Sequence, residues 1–104
     1  MSDSFKDFIL DQLDGLPEFE SKRMFGGTAL LVNGSAFGKI KHNKFWLKVD
    51  DTNHNDFQTL GMQQYTYGKD GSRTLNFYEV PVDVIENGEE LIKWTQKSMD
   101  IAIG

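Results

Sequence analysis

The sequence predicts a two-layer α+β domain in which helices cover one face of an antiparallel sheet. Apolar residues recur at helical spacing near both ends of the chain, and short runs with two-residue alternation fill the middle. Asn-Gly and Asp-Gly pairs, which favour hairpin turns, sit between those runs. At 104 residues the chain suits a single domain spanning residues 1–104, long enough for one two-layer core. An antiparallel sheet with one apolar face needs cover, and the terminal helices supply it.

In SFKDFILDQLDGL, residues Phe5, Phe8, Ile9, Gln12, Leu13 and Leu16 fall near a helical period. Ser4 can cap this first helix, with Asp7 three places on, and Gly15 and Pro17 end it. From Met24 the period shortens: TALLV runs into Asn33-Gly34, SAFGKI returns, and KHNK turns into FWLKV. In that third strand Phe45, Leu47 and Val49 share one face, and Trp46 and Lys48 the other. DDTNHNDFQTLGM reads as a short helix capped by Asp51 or Thr52, with Phe57 and Leu60 turned inward and Gly61 as its stop. QQYTYG and SRTLNFYEV form a second hairpin around Asp70-Gly71, closed by Pro81. PVDVI makes at most one helical turn. Asn87 then caps a last helix, with Glu90 at the capping-box position and Leu91, Trp94, Thr95, Ser98 and Met99 on its inner face. The expected order is helix, three strands, helix, two strands, helix.

Composition removes several function classes. There is no cysteine, which excludes disulfides, zinc-thiolate sites and thiol nucleophiles. No apolar run approaches the roughly 18 residues of a membrane span. The acidic, amphipathic start is unlike a signal peptide, so a cytoplasmic protein without membrane association is expected. The formal net charge of −5 opposes non-specific attraction to nucleic acid.

Linear motifs for chemistry are incomplete. NGSAFGKI has Asn33 where a phosphate loop needs its first glycine and Ile40 where it needs a hydroxyl, and it joins strands instead of opening a helix. DTNHND begins like a calcium loop, but Asp56 and Met62 stand where that loop requires Gly and Glu. His42 in a turn and His54 at a helix start lack metal-ligand spacing and are expected to be exposed and non-catalytic. No catalytic residue, cofactor or metal site is therefore assigned. Gly26-Gly27 implies a bend, close packing or a backbone nest, beside which Arg23 could help hold an anion.

One stretch departs from the acidic average. Lys22 to Val49 contains lysines and an arginine but no carboxylate. Alternation puts Lys39 and Lys41 on one strand face, shared with Lys48 and Trp46, so a cationic and aromatic surface is expected on the uncovered side of the sheet. Together with Arg23, Gly26 and Gly27 these residues make up the candidate interaction surface. Such a face suits an acidic protein or, with Trp46 stacking on bases, nucleic acid; it also suits lysines that simply keep a sheet solvated.

The blocks RMFGGTALLVNGSAFGKI, KFWLKVD, FQTLGMQQYTY, LNFYEVP and LIKWTQKS follow one another as in the TfoX/Sxy N-terminal domain family, which the chain resembles over about residues 10 to 100. The resemblance implies the same α+β order and a bacterial-type regulatory role, since founding members regulate competence for DNA uptake and carry a second, helical domain after this one. The present chain is expected to hold the first domain alone. Arg23, Met24, Phe25, Gly26, Gly27, Lys48, Gly61, Met62, Tyr78 and Pro81 form the matching signature, and the family supplies no catalytic residue to carry over. The expected function is a non-enzymatic regulatory or protein-interaction module, with a protein partner and a weak homodimer at most. Nucleic-acid binding through Lys39, Lys41, Lys48 and Trp46 is the alternative, and a small enzyme using Arg23, Tyr65, Tyr67 or Glu79 a third.

Overall fold

Ten elements follow one another in the computed structural model, which describes residues 4–24 and 26–104. They are α1 (Ser4–Gln12), β1 (Glu20–Met24), β2 (Gly27–Val32), β3 (Ser35–Lys41), β4 (Lys44–Lys48), α2 (His54–Gln58), β5 (Gln64–Tyr67), β6 (Arg73–Glu79), α3 (Val82–Ile85) and α4 (Gly88–Ile103). The strands form one six-stranded antiparallel sheet in the order β1-β2-β3-β4-β6-β5. The α+β class and its antiparallel sheet agree with the sequence reading. The sheet has one strand more than expected, β1, and the PVDVI turn is the separate helix α3 with Pro81 as its N-cap.

The turns obey backbone chemistry. Asn33 and Gly34 take φ of 51° and 81°, and His42 and Asn43 take 56° and 57°, the left-handed pairs that match strand twist in tight hairpins. The Asn87 side chain accepts from the Glu90 N–H and caps α4 as expected.

The main core lies between sheet and helices. Phe37, Ile40, Phe45 and Leu47 meet Ile9, Leu13, Phe57, Ile85, Leu91 and Met99 there, and α4 packs on β2, β3 and β4. A bulge makes this possible in β3. Leu30 faces Gly38 while Leu31 faces Ala36, so Phe37 is the extra residue and joins the helix-side core, while Ala36 packs on the opposite face.

The end of β4 is tied to the helical layer through Lys48, whose carbonyl accepts from Asn53 Nδ2 (3.0 Å) and Ser98 Oγ (2.8 Å). Buried Asn53 also accepts from the Asp50 N–H, which ties the β4–α2 loop; Asn53, where Asp51 or Thr52 was expected, is the N-cap of α2 but makes no side-chain bond to the helix N–H groups. Helix α2 is shorter than expected, so Phe57 is buried but Leu60, beyond its end, is exposed. No helix among the described residues is long and apolar enough to cross a membrane.

Candidate functional site: the lysine-rimmed sheet face

The face turned away from the helices carries a second, smaller core. Trp46 pairs with Lys39 on β3 and Glu79 on β6, so its indole projects from this face, where it packs with Tyr65, Phe77, Ala36 and Leu75. Its ring meets Tyr65 edge-on at 4.9 Å. The β5–β6 ladder is irregular here: Gln64 pairs with Tyr78, but Thr66 pairs with Thr74. Irregularities of this kind bend a hairpin. Strands β3 and β5 would lie about 14 Å apart in a flat sheet at ~4.8 Å per step. Yet Lys39 Nζ reaches to 4.8 Å from the Tyr65 ring centre, across the intervening β4 and β6. The two side chains span that gap between them, and Lys39, Lys41, Tyr65, Tyr67 and Leu75 line a groove of about 420 Å³.

Trp46 is on the expected face but is only 8% exposed, because Tyr65 and Phe77 pack against it. It offers no free ring for stacking on a base, and its Nε1–H is buried without an acceptor. Tyr67, 41% exposed, is the accessible aromatic of the groove. Lys44 pairs with Glu79 at 3.6 Å. Among the described residues no carboxylate lies within ion-pair distance of Lys39, Lys41 or Lys48. In a chain of net charge −5 this face is locally cationic.

The remaining site candidates lie elsewhere. Arg23, Gly26 and Gly27 surround a cavity of about 130 Å³ at the β1–β2 turn, and Lys41 and His42 contribute to its wall. Gly26 has φ of 76°. A Cβ on Gly27 would lie 2.7 Å from the Ile40 carbonyl oxygen, so both glycines have backbone reasons to be there. Arg23 is exposed on edge strand β1. Phe25, between them, lies outside the described residues.

A polar cleft of about 560 Å³ on the other side of β4 collects Asp50, Asp51, His54, Gln64, Asn76 and Tyr78. His54, expected to be exposed, is half-buried there, with Nε2 3.2 Å from the Tyr78 hydroxyl. Hydrogen bonds from the Thr52 side chain and then its backbone N–H hold the Asp50 carboxyl below its ordinary pKa. No local motif announces this cleft, since its groups come from the β4–α2 loop, α2, β5 and β6. No three His, Asp or Glu side chains gather closely enough among the described residues to hold a metal ion.

The TfoX N-terminal domain family model matches residues 11–102 of the chain. The chain belongs to that family. No curated protein matches it. The match runs from the end of α1 nearly to the end of α4, so it spans the sheet, the groove and the cleft.

Much of the TfoX N-terminal domain signature has a structural account in this chain. Gly61 takes φ of 68° after α2, Met62 packs against the main core, and Tyr78 lies edge-on to His54. Pro81 starts α3, and the Lys48 carbonyl ties β4 to the helices. The groove residues Tyr65 and Tyr67 are two apart in QYTY, and that spacing is the sequence signal of a shared face.

Proposed function

We propose that this TfoX N-terminal domain is a non-enzymatic, cytoplasmic regulatory module that engages a protein partner through its lysine-rimmed sheet face. The observation that carries the reading is the groove itself: apolar walls of Tyr65, Tyr67 and Leu75 beside lysines that have no carboxylate partner among the described residues. Apolar centres with charged rims are what protein interfaces are made of. Family membership supports the regulatory part, since the domain is related to those of competence regulators. Arg23, Tyr65, Tyr67 and Glu79, the groups of the enzymatic alternative, do not converge: Arg23 lines a separate cavity and Glu79 is paired with Lys44. Self-association is at most a weak homodimer formed by hydrophobic edge or helix residues, because a two-fold axis through this face would bring Lys39 and Lys41 against their own copies.

A photo-crosslinking residue placed at Tyr67, in cells that carry the protein, tests the reading. The expected result is a discrete protein adduct from position 67 and none from a control at Val82, which is 63% exposed outside the groove. Identical adducts from both positions, or adducts to nucleic acid alone, would refute it.

A further inference from the structure

Resting on the reading of the groove as the interaction surface, we infer that its occupant is an acidic peptide segment of the partner with one bulky apolar side chain. That side chain inserts between Tyr65, Tyr67 and Leu75, and the flanking carboxylates meet Lys39 and Lys41. A volume of about 420 Å³ accepts a Phe- or Leu-sized side chain with room for its backbone neighbours. Tyr67 and Leu75 keep apolar surface in contact with water, and an anchor removes it.

The rim selects the charge of the neighbours. Lys39 Nζ sits 4.8 Å and Lys41 Nζ 6.0 Å from the Tyr65 ring centre, so both ammonium groups are held over one wall of the groove. A basic or neutral segment would leave them without a counter-charge, whereas a carboxylate on either side of the anchor supplies one. Nucleic acid fits less well. The largest aromatic of the face is buried, and phosphates away from the groove would meet a chain of net charge −5. A second copy brings its acids on the helical layer, such as Glu89, Glu90 and Asp100 on α4, so its contact would be head-to-tail and need not close.

The test uses the whole chain and labelled octapeptides of Asp and Glu in which one central position is Phe, Leu, Trp or Ala. A matched set carries Asn and Gln in place of the acids, and binding is read by fluorescence anisotropy. At least one of the Phe, Leu and Trp peptides should saturate with a Kd of roughly 10–500 μM, an affinity suited to a short transient contact. The Ala peptide and the amide set should each bind about 10-fold more weakly, and binding should weaken as salt shortens the Debye length.

Two variants separate the parts of the site. Tyr67→Ala should erase the preference for a bulky centre while keeping the preference for acids. Lys39→Gln with Lys41→Gln should do the reverse, and Lys39→Arg with Lys41→Arg should restore it. Circular dichroism checks that each variant is folded. Acid and amide peptides binding alike, no saturation by 1 mM (about the weakest useful affinity), or tighter binding of a dT12 oligonucleotide would each overturn the inference. Loss of peptide binding with the Tyr67 crosslink to a protein retained would remove the acidic ligand and leave the module reading standing. Loss of both would remove the two together.

Discussion

Gly27→Ala gives the sharpest test of why the two adjacent glycines are present. An added Cβ would stand 2.7 Å from the Ile40 carbonyl oxygen and 3.1 Å from Lys41 Cβ, so β2 and β3 would have to part where Thr28 faces Ile40. Overpacking of this kind destabilises by about 1–3 kcal/mol, and weakening one ladder hydrogen bond adds about 1 kcal/mol. Reduced freedom of the unfolded chain returns about 0.4–1 kcal/mol. The expected loss is therefore about 1–3.6 kcal/mol, centred a little above 2. Gly26→Ala meets no atom within 4 Å and suffers only from its φ of 76°, which costs about 1–2 kcal/mol and, after the same unfolded-state gain, nets about 0–1.6 kcal/mol. Gly26→Asn, better tolerated in that conformation, should lose less. Urea unfolding measures all three, with a slope of ~1–3 kcal/mol/M for a domain of this size. If Gly27→Ala lowers stability less than Gly26→Ala, the close approach to β3 is not why glycine is needed there.

Thr95 is fully buried with no partner for its Oγ1, so Thr95→Val should raise stability by about 1 kcal/mol, seen as a higher melting temperature. Asn53→Ala leaves the Asp50 N–H without its acceptor and withdraws one donor from the Lys48 carbonyl, and should lower urea stability by about 2–3 kcal/mol. The depressed pKa of Asp50 makes its stabilising contribution complete above the unfolded carboxyl value, about pH 4, and lost as pH falls through the lower folded value. An NMR titration should show Asp50 releasing its proton at higher pH in Thr52→Ala, where the side-chain donor is gone.

The alternation of KFWLK was enough to put Phe45 and Leu47 under the helices and Trp46 beside Lys39, because a strand has only two faces. It was not enough to bury Trp46. That depends on Tyr65 arriving from a strand two places away through an irregular ladder, a long-range event with no local signature. Strand β1 was illegible for the opposite reason. Glu20 to Arg23 are exposed, so ESKRM has no apolar period, and only its pairing with β2 makes it a strand. Gly26 and Gly27 signalled a constraint correctly, but the sequence could not separate a left-handed turn from a close approach, and each glycine turns out to answer one of these.

Burial of β4 on both faces divides the molecule by how its backbone opens. Phe45, Trp46 and Leu47 are buried, and the strand is paired with β3 on one side and β6 on the other. Their amide protons therefore exchange with solvent only when the whole domain unfolds. Residues 66–74, at the tip of the β5–β6 hairpin, are all exposed and can open by themselves, carrying Tyr67 with them. A bound ligand in the groove would thus register as slowed deuterium uptake at this tip in excess of any slowing along β4. That difference would mark one lip of the groove as an independently opening segment hinged on an immobile strand.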